Sequence, residues 1–328
     1  MFGVIYMDDK FNQFYTNLDK SVLNRLNEQA KVAQNIKIFR IVLGILTVIS
    51  FLSIQASMSI HNINGLPFLL FIISLVGFFG FFIFSQNKLK VFRNNFKQQI
   101  ISKIITFIDP ELLYQYNYGF PENDYNNSGI SESYTNYHSD DLITGNLSGV
   151  PIRAAEIFTE KVVRSGKHTH RVTLFKGLFM EARFNKRFSG ATTIFPDKGF
   201  SIGNFIEKTG KKIFSDTTEA ITLESSEFNN MFNVYSTNQV EARYILSTSF
   251  MEKLPEFKRN LDLEVLFSFK YSNIYIKIDF NNELFEPDTS ENCVSKEKIY
   301  IFYSFLKFME SIITEFKLNQ DIWDSEVV

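Results

Sequence analysis

Few side chains in this sequence have the type and spacing to do chemistry. Glu241 and Arg243 lie two residues apart in the run Asn238-Gln239-Val240-Glu241-Ala242-Arg243. An arginine there could clamp a phosphate or carboxylate ligand through its planar fork. The plainer role makes Glu241 a helix cap and Arg243 an ion-pair or packing residue, and the lack of a glycine-rich phosphate loop favours it. His168 and His170 would project two imidazoles from one strand face, as a metal site requires. No cysteine stands near them, and Glu160 and Glu181 are distant in sequence, so a solvated turn suits the pair better. The densest charge lies between Lys161 and Arg187, where Lys161, Arg164, Lys167, Arg171, Lys176, Arg183, Lys186 and Arg187 face one acid, Glu181. Such a patch suits anionic lipid or an acidic partner. It also suits a solvated face paired with Glu252, Glu256 or Asp262.

The familiar catalytic arrangements are missing. There is no Gly-x-Ser-x-Gly elbow, phosphate loop, dinucleotide fingerprint or His-Glu-x-x-His pair. The single cysteine, Cys293, excludes an internal disulfide and a multi-cysteine zinc site, and it fits a reducing compartment. No catalytic, cofactor-binding or metal-ligating residue is assigned, and no cofactor is expected. Carboxylate-only chemistry has no positive support.

The strongest signal is apolar. From Ile41 to Asn87 the chain carries no Asp, Glu, Lys or Arg. Two runs within it, about 41–60 and 66–84, each have the roughly 20 residues a bilayer core demands, with His61–Gly65 as the turn between them. Arg25, Lys31, Lys37 and Arg40 precede the first run, and Lys88, Lys90, Arg93, Lys97 and Lys103 follow the second. The turn has no cation, so both termini are expected on the cytoplasmic side. The first run starts some way into the chain and is followed by a second, so it reads as an anchor and not a cleaved signal. Ser50, Ser53 and Ser57 on one span, and Ser74, Gly77 and Gly80 on the other, suit close packing within the hairpin or self-association. No ionisable group lies inside either span, which weighs against an ion pathway.

Charge divides the rest. Residues 1–109 hold 11 Lys/Arg against 5 Asp/Glu, and residues 110–328 hold 23 against 31. An acidic soluble part argues against nucleic acid as a partner. Residues 1–109 are expected as a helical stalk around the spans. Phe11, Phe14, Leu18, Val22, Arg25, Gln29, Ala33 and Ile36 recur at helical spacing before the first. Leu89, Phe92, Phe96, Ile100, Ile104 and Phe107 do so after the second. Asp109-Pro110-Glu111 should end the stalk, with a short helix around 111–116 and a linker over 110–141 that is crowded with Asn, Ser, Tyr and Asp.

A mixed α+β domain is expected over 142–328. Its strands read as 142–147, 151–164, 169–182, 189–195, 220–223, 233–235, 261–269 and 273–280. Asn238 and Glu241 mark a helix start whose apolar face would be Val240, Tyr244, Ser247, Met251 and Leu254. A last helix covers about 296–318.

The runs Leu223-Glu224-Ser225-Ser226-Glu227-Phe228, Phe232-Asn233-Val234-Tyr235-Ser236 and Asn238–Leu246 resemble the signature of a bacterial family known as domain of unknown function 3137. Phe175-Lys176-Gly177-Leu178-Phe179 and Phe195-Pro196-Asp197 resemble its earlier blocks. Asn238 stands where that family commonly has Asp, and Thr248 where it commonly has Pro, so the helix is expected to continue through Thr248. The resemblance implies an inner-membrane location and this layout, with no activity to transfer. The expected function is a membrane-anchored, non-enzymatic interaction or sensing module, integral with two spans, with a protein partner or self-association. The alternatives are a membrane-perturbing effector gated by its soluble domain, and an enzyme acting at the inner leaflet.

Overall fold

A computed structural model of the chain describes residues 8–59, 65–166, 168–183, 188–197, 218–261, 264–280, 284–287 and 293–323. The described residues divide into two compact units, one of 8–101 with 286–301, the other of 102–285 with 302–323.

The first unit is helical. Helix α1 (Asp9–Thr16) begins where the Asp8 carboxylate accepts the Phe11 N–H at 2.6 Å. Helix α2 (Lys20–Ser59) restarts after a break at residues 17–19, where Asp19 accepts the Ser21 N–H at 2.8 Å. The break shifts the buried face: Leu26, Ala30, Ala33 and Ile36 are buried, whereas Arg25 of the expected stripe is exposed and Val22 and Gln29 are half-buried. Helix α3 (Leu66–Phe96) starts with Pro67 in its first turn. A π-helical turn (Lys97–Ile101) adds a residue to the repeat, and Ile100 and Ile101 are both buried there.

Both long helices are long and apolar enough to cross a membrane, with mean hydropathies of 2.1 and 2.6 and none of their most apolar windows buried. They touch along a narrow seam. Half-buried Leu43, Thr47, Ser50 and Ile54 on α2, and Phe71, Ser74, Phe78 and Phe81 on α3, alternate three- and four-residue steps. That is the spacing of knobs-into-holes packing. The Ser50 and Ser74 hydroxyls meet at 3.0 Å across it. At the end of the seam Arg40 Nε donates to Ser85 Oγ at 2.7 Å, its guanidinium 4.8 Å from the Phe82 ring.

The second unit is built on an antiparallel sheet. After α4 (Ser102–Ile108) come β1 (Leu112–Gln115), α5 (Glu122–Asn127), β2 (Asn136–Leu147), β3 (Val150–Ser165), β4 (His168–Arg183) and β5 (Ala191–Pro196). Then follow β6 (Glu219–Ile221), α6 (Ser226–Asn229), β7 (Phe232–Ser236), α7 (Gln239–Ile245), α8 (Thr248–Leu261), β8 (Glu264–Lys270), β9 (Asn273–Asp279) and α9 (Lys296–Trp323). The sheet order is β1-β2-β3-β4-β9-β8-β5-β7-β6. This is the α+β arrangement that the grouped strands predict.

Three local expectations change. In place of the helix expected around 111–116 stands strand β1, because Leu112–Gln115 pair with Leu142–Gly145. The stretch expected as a linker instead holds α5 and the start of β2, and its Phe120 and Tyr125 side chains are buried. Phe120, Tyr125 and Ile130 cover one sheet face over Ala155, Ile157, Phe175, Phe179, Phe195, Leu266 and Tyr275. Finally, the helix from Asn238 ends at Leu246, whose ψ of 70° is not helical, and α8 starts afresh. Val240 and Tyr244 are consequently 67% and 56% exposed, while Ala242, Ile245 and Leu246 are buried. Met251 and Leu254 of the expected face are buried. On the opposite sheet face Phe250 of α8 meets Phe267 edge-on at 5.6 Å, and Phe305 of α9 lies 4.7 Å from Phe280.

Candidate functional site

Of the basic residues singled out in the sequence, Lys161, Arg164, Arg171, Lys176 and Arg183 sit on the β3–β4 hairpin, while Lys186 and Arg187 lie outside the described residues. The two strands pair through to Ser165 and His168, with Gly166 turning the chain at φ +59°. Their neighbours stop earlier. Strand β2 accompanies β3 only as far as Glu160, and β9 joins β4 only from Gly177. Thr135 adds one further link, its Oγ1 accepting the Val162 N–H at 3.1 Å. Beyond that point residues 161–165 and 168–173 form a ribbon of two strands alone, and the whole stretch from His168 to Thr173 is exposed.

Strand alternation distributes its side chains. Lys161, Val163, His170 and Val172 share one face; Val162, Arg164 and Arg171 share the other. Arg171 lies 3.8 Å from Glu160, with 70% of its side chain exposed. A pair so open to water is weak. Lys176 lies farther back along β4, its ammonium 5.9 Å from the Phe158 ring. The structure therefore gathers Lys161, Arg164 and Arg171 on the ribbon and leaves Lys176 at its base. Lys167 is outside the described residues. His168 and His170 share the Lys161 face, with Glu160 on the other.

Glu241 and Arg243 do not converge on a common point. The Asn238 side chain caps α7 by accepting the Glu241 N–H at 3.1 Å. The Glu241 carboxylate then accepts the Ser189 and Gly190 N–H groups at 2.7 and 2.8 Å, tying the entry of β5 to α7. A side chain at position 190 would crowd Thr237 and Asn238, which is why glycine stands there. Arg243 donates to Glu224 at 2.5 Å and to the Thr222 carbonyl at 3.1 Å. Both side chains are committed to neighbouring protein groups.

Two polar groupings were not singled out in the sequence. Asp140, Asp141 and Glu156 bring carboxylate oxygens within 4.8 Å of one another at a β2 bulge, Asp141 fully buried at φ +59°. Oxygen donors of this kind suit a hard cation. Here they already serve the fold: Tyr114 donates its hydroxyl to Asp141, and Glu156 accepts the N–H groups of Leu284 and, at 3.0 Å, Phe285. Burial and the Asp141 charge push the Tyr114 phenol far up. The adjacent Asp140-Asp141 dipeptide in a strand was the available signal.

The second grouping is an ion pair between Lys277 of β9 and Glu132, buried beneath the covering segment. Tyr125 donates to Glu132 at 2.7 Å, and the Phe175 ring lies 4.2 Å from the Lys277 ammonium. Burial pushes that ammonium down to about 7, with Asp279 pulling it back up. The signal was a lysine inside the run Ile274-Tyr275-Ile276-Lys277-Ile278.

Two cavities lie near the lower bound of a usual ligand chamber of roughly 300–1,000 Å³. One of about 220 Å³ lies between α8 and α9 beside Phe257 and Phe308. Another of about 280 Å³ lies between α2 and α3 beside Val32 and Val91.

Residues 173–318 match the model of a family described as "Protein of unknown function (DUF3137)". That segment includes the blocks at residues 175–179, 195–197 and 223–246 that resemble the family. The DUF3137 segment contains most of β4, the Glu241 tie and Lys277, while the covering segment with Glu132 precedes it. No curated protein matches the chain. Among solved structures, the mycobacterial trehalose monomycolate transport factor A, TtfA, is similar at 11% identity and a TM-score of 0.31. That alignment covers 65% of this chain and 92% of the other. At so low a TM-score the likeness carries no argument about function.

Proposed function

We propose that this protein is a membrane-anchored interaction or sensing module in which α2 and α3 span the bilayer and the DUF3137 segment belongs to a cytoplasmic domain. One observation carries this reading. Within the charge-free stretch from Ile41 to Asn87, α2 and α3 carry apolar windows that nothing among the described residues covers. Ile41, Ile45, Val48, Ile49, Leu69, Ile73 and Val76 each leave half or more of their surface open. In water that area would be a severe liability; in lipid it is the outer surface of a span. The cations flanking the hairpin on both sides support cytoplasmic termini, with the short turn on the far side. The acidic domain and the structural commitments of Glu241 and Arg243 support an interaction role with a protein partner.

Alkaline carbonate extraction of membranes from cells making the full chain tests the anchor. The protein should remain in the pellet and leave it only with detergent; release into the supernatant would sink the reading. In right-side-out vesicles, tags at both termini should resist protease until the membrane is opened.

A second reading, a membrane-perturbing effector, draws support from Gly77 and Gly80. A side chain at either would meet nothing within 4 Å, so this narrow strip of α3 is open to a neighbouring hairpin. Substituting both glycines by leucine should abolish self-crosslinking and any loss of membrane potential on overproduction. An unchanged crosslinking pattern would leave the interaction reading alone.

A further inference from the structure

We propose that the β3–β4 ribbon docks on anionic lipid headgroups at the surface of the bilayer. This rests on the membrane reading above and adds a second, reversible contact made by the soluble domain itself. Residues 110–328 carry 23 Lys/Arg against 31 Asp/Glu, so most of that part of the chain is repelled by an anionic leaflet. On the ribbon the sign reverses. Lys161, Arg164 and Arg171 occur there with Glu160 at the base as the accompanying acid. They stand on both faces, so the ribbon presents cations whichever way it lies.

Its apolar content fits the same surface. Val162 and Val163 are half-buried and Val172 is 40% exposed, on a pair of strands that neither β2 nor β9 accompanies. Valines between long cationic side chains match the headgroup boundary, where ammonium and guanidinium groups meet phosphate and short apolar groups enter the acyl edge. A strand edge guarded only against aggregation also uses charge, but such a guard gives no response to lipid charge.

The test uses the full chain carrying Val172→Cys, labelled with an environment-sensitive thiol dye. The native Cys293 is buried and has 1% of its surface open. The labelled protein is reconstituted into phosphatidylcholine vesicles with or without phosphatidylglycerol. Docking predicts a blue shift in the anionic vesicles only, reversed by high salt and lost in K161E/R164E/R171E. A label at exposed Val240 should give the same spectrum in both vesicles and should report that the triple variant is folded. The salt reversal is measured on the parent, so it stands even where the triple variant fails. Identical spectra from the Val172 label in both vesicle types, or a shift that survives salt, overturn the proposal; the first result would leave the ribbon to an acidic protein partner. Failure of the protein to float with either vesicle would instead overturn the membrane reading.

Discussion

Lys277 and Glu132 form a costly polar contact in the sheet unit, since both charges have left water. Breaking a buried pair from one side strands the other charge, at about 3–5 kcal/mol, whereas replacing both partners by apolar groups is often neutral or better. K277M should therefore lower the stability of the detergent-solubilised protein by about that amount, and K277M/E132L should recover most of it, as read by denaturant unfolding. The pH dependence has a definite sign. Lys277 has its proton affinity lowered to about 7 in the folded chain, against 10.5 ordinarily. Between those values the unfolded chain holds the extra proton, so stability rises with pH. The burial cost is in full force below about 7 and vanishes above about 10.5, with a slope of at most about 1.4 kcal/mol per pH unit. The margin by which the parent exceeds K277M should therefore widen as pH rises through that window. Glu241 offers a second case. Its two backbone N–H partners make E241Q a loss of about 1–2 kcal/mol, seen as a lower thermal midpoint. The capping role of Asn238 was legible from spacing. The reach of Glu241 back to Ser189 was not, because it joins residues about 50 positions apart.

At the level of elements, the long strands were legible because β-branched and aromatic runs ended in clear turns, as at Ser165-Gly166. The covering segment was not. Its polar composition hides the fact that Phe120, Tyr125 and Ile130 are spaced to meet a flat sheet face, a pattern with neither helical nor strand periodicity. The break between α7 and α8 was equally hidden. It comes from the burial of Leu246 directly after Ile245, which a continuous helix would have turned partly to solvent. Close strand contact gives a sharp prediction. A methyl at Gly177 would overlap the Ile278 carbonyl oxygen, so G177A must push β4 from β9. Overpacking of this kind costs about 1–3 kcal/mol, and the loss should appear as a lower thermal midpoint with an intact far-ultraviolet spectrum.

For the molecule as a whole, the apolar hairpin was the most legible feature, since a charge-free run of that length has few other uses. The helices around it were less so: Asn17-Leu18-Asp19 stops α1, and the π-helical turn follows α3, neither of which apolar spacing announces. Placing one charge in the seam tests the membrane reading at this scale. S50D sets a carboxylate against Ser74 in the hairpin. A buried carboxylate in a bilayer costs about 2.5–3.5 kcal/mol, so a smaller fraction of S50D should survive carbonate extraction. Full retention would count against a lipid-embedded seam. The covering segment also has a consequence for biosynthesis. Glu132 leaves the ribosome long before Lys277 does, and the strands that its aromatic neighbours shelter arrive over the whole interval. Until β8 and β9 emerge, the early hairpins hold a greasy, half-built surface that lacks its later strands. The cell must therefore finish this sheet late, and a chain cut short before position 277 should be a substrate for chaperones or proteases.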